Sequence, residues 1–429
     1  MQDHLRSSLM RNLLRGRAAP RWIPAFALVL VALLLSLAFG SSAVSDPVGP
    51  KPGLHPLSVG TALSGGPRAI GVPASILSGP AVVQSFPGSS GVDGLSSDKT
   101  TAVVALDSAA NDQEVAMFDE ANNSSWVVQN AIPGGQSVIF IQLVSAGGEF
   151  YGVWQNLSTS AEIWERFTLS GKVTVPKIPV RSTMAWTFPY GNSTRLFAAA
   201  PGFLMELNAT SLKVVANYSS PIPANVTVLS LLPVGDRLYL GGYRFLSNGA
   251  TNAYFGYLNL TSMKLTTITR ATLHYPSPYF ASFFSVEAQG SNIYVGGGLE
   301  WLISYNTTIS YHTAQGFLYR FSPSGSTFKN LSSMLPLQSW EVWSIVPWST
   351  TIAFMIAGWG ENSSTHASYV GEGIYTLSSS GSSLVNRTAL LPGTFVGAGF
   401  DDESSSDGWY FVGGYNSRTL YTEAVAIKT

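Results

Sequence analysis

VLSLLPVGDRLYLGGYRF from Val228, FFSVEAQGSNIYVGGGLEW from Phe283, VWSIVPWSTTIAFMIAGWG from Val342 and TFVGAGFDDESSSDGWYFVGGYN from Thr394 are four versions of one phrase. Each has an apolar run, a short polar turn, and a second apolar run that closes on glycine. The glycine pairs fall at Gly241-Gly242, Gly296-Gly297 and Gly413-Gly414, with a single Gly358 between the last two. A repeat of about 55 to 60 residues is the signature of a structural unit that stacks against copies of itself.

Outward from each phrase the pattern continues into two more short runs. Ala253–Leu260 turns through Thr261-Ser262 into Lys264–Thr269, and Gly316–Phe321 turns through Ser324-Gly325 into Phe328–Leu331. Gly373–Leu377 turns through Ser380-Gly381 into Leu384–Arg387. Aromatic and β-branched residues alternate with small polar ones between turn residues, as strands require. Fainter copies begin near Val138 and Met184, and residues 81–131 fit one more. After residue 45 no segment sustains a 3.6-residue apolar period, so the expected fold is all-β, a β-propeller of about seven four-stranded blades. The last unit has only three strands, Thr394–Phe400, Trp409–Gly414 and Leu420–Ile427. Its fourth is expected from Arg68–Leu77 (residues 68–77), which would join the chain ends and leave no open edge. Eight units, six units plus a separate N-terminal β unit, or an array of sandwiches are the alternatives.

The four-strand, glycine-pair repeat resembles the kelch and kelch-like propeller families over about 360 residues, most specifically from residue 226 to the end. It departs from the kelch pattern in lacking regular Trp and Tyr positions in every unit. The GH and WD signatures of WD40 repeats are absent from the sequence.

The N-terminal 66 residues read differently. Residues 1–21 form a basic leader with Arg6, Arg11, Arg15, Arg17 and Arg21 against a single acid, Asp3. Residues 22–43 hold Trp22–Phe39, WIPAFALVLVALLLSLAF, which contains no charge. As a helix it would span about 27 Å, close to a bilayer's hydrocarbon thickness. The one-sided arginines place the leader in the cytoplasm and the remainder outside. An uncleaved anchor and a signal peptide cut after Ala43 are both open, since Ser41 and Ala43 supply small residues at the cleavage positions. Residues 44–66, rich in Pro, Gly and Ser, read as a tether to the propeller of residues 67–429. Setting aside the leader's five arginines and one acid, 18 basic and 23 acidic residues remain of the 23 and 24 in the chain. A nucleic-acid partner, which needs a basic footprint, is therefore not expected.

Asn-x-Ser/Thr triplets support an outside location. They occur at Asn122, Asn123, Asn156, Asn192, Asn208, Asn217, Asn225, Asn259, Asn306, Asn330, Asn362 and Asn386, 12 of the 19 asparagines. With Ser and Thr at about a fifth of the chain, chance gives about four. They are candidate glycan acceptors, although turns rich in Asn, Ser and Thr would produce the same triplets. The absence of cysteine excludes disulfides, thiolate metal sites and thiol nucleophiles. The combination of many sequons, no cysteine and 11% charged residues resembles archaeal cell-surface proteins, and so uncharged a surface would suit an acidic exterior.

Chemistry is sparse. Asp401, Glu403 and Asp407, in the run with Asp402 before Gly408, are candidate calcium ligands because closely spaced carboxylates in a loop can hold that ion, though an acidic loop is more often only solvated. No other cofactor is indicated. His274, His312 and His366 fall in predicted loops, where adjacent repeats could bring them together around a metal. Trp340, Trp343, Trp348 and Trp359 crowd one unit, with Trp301 in the unit before. Exposed aromatics of this kind can bind sugars or partner proteins, but Trp343 and Trp348, in a strand and at its end, are expected to pack between units. No P-loop, dinucleotide fingerprint, G-x-S-x-G or H-E-x-x-H occurs. A radical-copper propeller oxidase would need a thioether cysteine. The expectation is a membrane-tethered or secreted propeller that binds a protein or glycan at the cell surface through Phe245–Thr251, residues 301–314 and Gly360–Val370. An extracytoplasmic carbohydrate-active hydrolase or lyase, or a structural envelope component, are the other readings.

Overall fold

A computed structural model describes residues 75–76, 81–86, 89–108, 113–119, 124–127, 138–156, 159, 161–168, 173–174, 188–191, 195–247, 251–268, 279–305, 308–336, 341–361, 368–378, 380–393, 395–397, 403–406, 408–419 and 421–429. The leader, the apolar segment Trp22–Phe39 and the tether lie outside them.

The described residues form seven antiparallel sheets in a ring, a seven-bladed β-propeller. Blade 1 runs through Ser89–Asp98, Thr101–Ser108, Gln113–Asp119 and Ser124–Val127, and blade 2 through Val138–Ala146, Glu149–Asn156, Glu162–Thr168 and Val173–Thr174. Blade 3 comprises Phe188–Gly191, Arg195–Ala200, Phe203–Asn208 and Val214–Asn217; blade 4, Val226–Val234, Arg237–Phe245, Thr251–Asn259 and Lys264–Thr267. Blade 5 comprises Tyr279–Gln289, Asn292–Tyr305, Thr308–Phe321 and Phe328–Asn330; blade 6, Glu341–Trp348, Thr351–Glu361, Ser368–Leu377 and Leu384–Asn386. In blade 7 the innermost position is shared by Phe395–Gly397 and Glu403–Ser406, followed by Trp409–Asn416 and Thr422–Lys428.

The core is divided among the seams. Seven apolar clusters each join two neighbouring blades, in the cyclic order 1–2, 2–3, 3–4, 4–5, 5–6, 6–7 and 7–1. Both faces of a blade are thus buried, which is why its central strands read as near-continuous apolar runs such as TAVVAL and RLYLGG. The outer strands are short, two to four residues in blades 1 to 6, and leave little open edge for aggregation.

The repeated glycines seat one blade on the next. A β-carbon on Gly241 would lie 2.7 Å from Val286 Cγ2 of blade 5, and one on Gly296 would lie 2.7 Å from Val342 Cβ of blade 6. On Gly413 it would meet Val92 Cγ1 of blade 1 at the same 2.7 Å. Polar locks reinforce two seams near the opposite ends of the strands. The Tyr151 hydroxyl and Arg166 donate to the Ala209 and Thr210 carbonyls in the last turn of blade 3, and Arg237 and Tyr239 donate to the Pro323 carbonyl in the matching turn of blade 5.

Ring closure departs from expectation. The strand beside Thr422–Lys428 is Ala81–Phe86, with register Ala81↔Ile427 to Phe86↔Thr422, rather than a strand within residues 68–77. Of that segment the pair Ser75–Ile76 adds outside it, against Val83 and Val82; its other residues lie outside the described set. The reason is side-chain fit: Val83 enters the seam between blades 6 and 7, whereas Phe86 enters the seam between blades 7 and 1. Residues 81–131 therefore divide between the closing strand and blade 1. Closure is reinforced by Ser85 Oγ donating to Glu423 Oε1 at 3.2 Å, and by Ser97 bonding Ser404 and Ser406 of blade 7 at 2.8 and 3.0 Å.

Candidate functional site

In each blade the second and third strands are joined on the same side of the ring, the side where the innermost strands begin. Phe245–Thr251, residues 301–314 and Gly360–Val370 are all connections of this kind, on consecutive blades 4, 5 and 6. They differ in reach. The two central strands of blade 4 have nine residues each, those of blade 5 have 14 each, and those of blade 6 have 11 and 10. The blade 5 hairpin stays paired to Tyr305↔Thr308, whereas its innermost strand begins at Tyr279, opposite Trp301. The hairpin therefore stands above the rim by the stretch from Leu302 to Tyr311. Trp301 and His312 face each other across it as backbone partners.

Beneath this rim the innermost strands share an irregularity. Register shifts leave one extra residue at Asp93, Ile141, Leu229, Phe284 and Trp343 in blades 1, 2, 4, 5 and 6. Each bulge is followed by a residue paired to the matching place on the second strand: Gly94↔Ala105, Gln142↔Val153, Ser230↔Gly241, Ser285↔Gly296 and Ser344↔Met355. In blade 3 the described part of the innermost strand, Phe188–Gly191, pairs without a shift. Blade 7 is interrupted at this level, since Gly397 pairs with Gly414 and Glu403 with Val412, leaving residues 398–402 opposite Gly413. Asp401 and Asp407 lie outside the described residues, and Glu403 begins the strand Glu403–Ser406.

A bulge leaves an inner-strand amide without its ladder partner. The serine after it answers this need for the following blade: Val286 N–H donates to Ser230 Oγ at 2.9 Å, and Ile345 N–H to Ser285 Oγ at 3.0 Å. The signal was present in the sequence as Val228-Leu229-Ser230, Phe283-Phe284-Ser285 and Val342-Trp343-Ser344, two apolar residues and a serine where alternation breaks. Leu229, Phe284 and Trp343, the extra residues of blades 4 to 6, are all apolar and half-buried. Trp343 packs against the seam of blades 6 and 7, and so does Trp348, whose ring lies 5.0 Å from that of Tyr410. Both tryptophans are packing residues as expected. Trp340, His274 and His366 lie outside the described residues, as do the side chains of Trp301, His312 and Trp359.

Four buried carboxylates were not singled out by sequence. Trp343 Nε1 donates to Glu341 Oε2 at 3.0 Å, and Gly298 lies so close to this carboxylate that a β-carbon there would displace it. Glu423 accepts from Asn416 and Ser85. Glu206 receives Arg195 at 2.8 and 2.7 Å and the Tyr218 hydroxyl at 2.7 Å. Burial alone would raise the Glu206 carboxyl, but these bonds and the arginine's charge outweigh it and hold the group below the usual carboxylate range. Glu165, by contrast, is fully buried with no partner on either oxygen.

The sequon asparagines have structural work. Asn217, Asn330 and Asn386 end the outer strands of blades 3, 5 and 6, and each Oδ1 accepts the amide of the Ser or Thr two residues on, at 2.9, 2.9 and 2.8 Å. The hydroxyls of those residues, Ser219, Ser332 and Thr388, accept the amides of Leu204, Leu318 and Ile374 on the third strand. Asn208 and Asn259 fold the turns after the third strands, each accepting two amides and a serine hydroxyl. Asn156 is buried and accepts from Thr159, Asn225 donates to the Phe245 carbonyl, and Asn259 also donates to Asp236. Asn122, Asn123, Asn192, Asn306 and Asn362 lie outside the described residues.

A ring of seven four-stranded antiparallel blades closed by an N-terminal strand defines the class, the β-propellers. No protein-family profile matches the chain, and no curated protein matches it in sequence. Solved structures share the fold. The β-propeller domain of the Trilobed protease from Pyrococcus furiosus, described as having an open velcro topology, matches with a TM-score of 0.50 at 10% identity, over 78% of this chain and 94% of that one. YCF48 bound to D1 peptide matches with a TM-score of 0.50 at 10% identity, over 83% and 98%. A streptogramin B lyase matches with a TM-score of 0.45 at 12% identity, over 81% and 98%.

Proposed function

We propose that the chain is an exported, kelch-like propeller, membrane-tethered or secreted, that binds a protein or glycan at the cell surface through the rim of blades 4 to 6. The observation that carries this reading is the asymmetry of that rim. The strands of blade 5 project five residues farther than those of blade 4, and the innermost strands of blades 4 to 6 each carry a half-buried apolar bulge residue, Leu229, Phe284 or Trp343. Ring stability alone does not call for a paired hairpin above the seams, and projecting loops on a rigid scaffold are where binding residues collect. YCF48, a propeller of the same fold, holds a peptide, which supports a polypeptide as one class of ligand. Export rests on the apolar segment Trp22–Phe39 and its preceding arginines. Asn208, Asn217, Asn330 and Asn386 are the proposed glycan acceptors, because all four are exposed and their hydrogen bonds use the oxygen rather than the nitrogen of the amide.

The test compares the full chain with a variant in which Leu302–Tyr311 is replaced by Asn-Gly. Both are applied to an array of immobilised glycans and photo-crosslinked on the surface of intact cells. Loss of a captured ligand in the variant, with unchanged thermal unfolding, is the expected result. Equal capture by both proteins would remove the rim from consideration, and no capture by either would remove binding.

A further inference from the structure

Glu165 lies in the third strand of blade 2 on the face that meets blade 1. On that face its neighbours are Ile163 and Phe167 along the strand and Gly152 across from it. Trp154 and Leu143 lie beside them, and Val103, Ala105, Val115 and Met117 of blade 1 form the opposing wall. Glu165 has 0% exposure, and neither oxygen has a hydrogen-bond partner. The charges nearby are directed elsewhere. Arg166, the next residue, points to the other face, where it pairs with Glu149 at 3.6 Å and reaches the Thr210 carbonyl of blade 3. On the opposing face of blade 1 the described titratable residues are Asp98, whose Oδ2 faces Gly148 of blade 2, and Asp119, which accepts from Thr100. Both are acids, so neither could stabilise a carboxylate.

A carboxylate buried without a partner carries a desolvation cost that proteins avoid by keeping the group protonated. We propose that Glu165 is a proton lock: a neutral carboxylic acid that seals the seam between blades 1 and 2 in acid, and loosens it when the proton is lost. Burial is the sole cause acting on this group, and it pushes the carboxyl up to about 8 from its ordinary 4.5. Because the folded value is the higher one, the stabilising contribution is complete below pH 4.5 and is lost as pH rises through 8. A second carboxyl acts the same way with less weight. Glu287 in the innermost strand of blade 5 is pushed up to about 7 by burial, opposed by a bond from the Ala288 amide. Its side chain is half-buried. Glu206 works in reverse and loses its contribution as pH falls below the ordinary carboxylate range. Together these three groups favour the folded ring most on the acid side of neutrality, near pH 4 to 5, whatever ligand the rim holds.

Thermal unfolding of the full chain from pH 4 to 9 tests this, with Glu165→Gln and Glu165→Leu measured alongside Glu287→Gln. In the wild type the folding equilibrium should weaken by up to about tenfold per pH unit between pH 5 and 8. Either Glu165 variant should flatten most of that slope and melt higher than wild type at pH 8.5, while Glu287→Gln should leave most of it. Amide exchange, corrected for its intrinsic pH dependence, localises the effect: Val103–Ala105 and Gly152–Trp154 should lose protection on alkalinisation before the seam of blades 4 and 5. A wild-type slope retained in both Glu165 variants, or uniform loss of protection around the ring, would overturn the proposal.

Discussion

At Gly296 two blades press closely together, because the space its side chain would occupy already holds Val342. A β-carbon there meets Val342 at 2.7 Å and Ile345 Cδ1 at 3.1 Å, and both belong to the apolar seam of blades 5 and 6. Gly296→Ala should therefore destabilise the protein by about 1–3 kcal/mol through overpacking. The effect should be specific to the pair. Trimming the partner with Val342→Ala costs stability in the wild type by opening a cavity, but in the Gly296→Ala background it should cost much less, since the new methyl fills part of the vacated space. Chemical denaturation of the four proteins measures the coupling, and an interaction energy near zero would show that the seam yields by moving whole blades instead.

At the scale of strands and turns, the triplets that read as glycan acceptors also terminate blades. Asn330 turns the chain out of blade 5 while Ser332 holds the Leu318 amide, and Asn386 with Thr388 repeats this in blade 6. Produced in a host without N-glycosylation, Asn330→Ala should still lose about 0.5–2 kcal/mol, the range for side-chain caps on backbone amides. An unchanged unfolding midpoint would leave the triplet without a structural role at that site. This double use explains the limits of the sequence reading. The glycine pairs were legible because close packing between blades permits almost nothing else there, and strands were legible from apolar runs bounded by Ser-Gly and Asn-containing turns. The bulges were not, because one added residue such as Leu229 or Phe284 leaves a strand apolar and merely breaks alternation for a step. Glu165 was equally silent: a lone acid between Trp164 and Arg166 looks like an exposed strand residue until the opposite blade is in place.

For the whole molecule the decisive element is the strand that makes a ring out of an open fan. Ala81–Phe86 satisfies the backbone edge of Thr422–Lys428, and its side chains complete two seams at once, Val83 between blades 6 and 7 and Phe86 between blades 7 and 1. The expectation of closure from residues 68–77 had the topology in view but selected a neighbouring segment, because RAIGVPASIL and AVVQSF are both apolar and only the assembled ring shows Val83 and Phe86 each entering a seam. Phe86, at 1% exposure, should cost about 3–5 kcal/mol when replaced by alanine. Deleting residues 75–86 from the full chain goes further, exposing the edge of the last strand together with two half-filled seams. An unpaired edge of that length is a template for another chain, so the deletion should lower the melting temperature and produce concentration-dependent oligomers in which a neighbour supplies the missing strand. Light scattering and unfolding at several protein concentrations distinguish the cases. A monomer that melts like the wild type would mean that the seams alone hold the ring, and that the closing strand serves only to cover an edge.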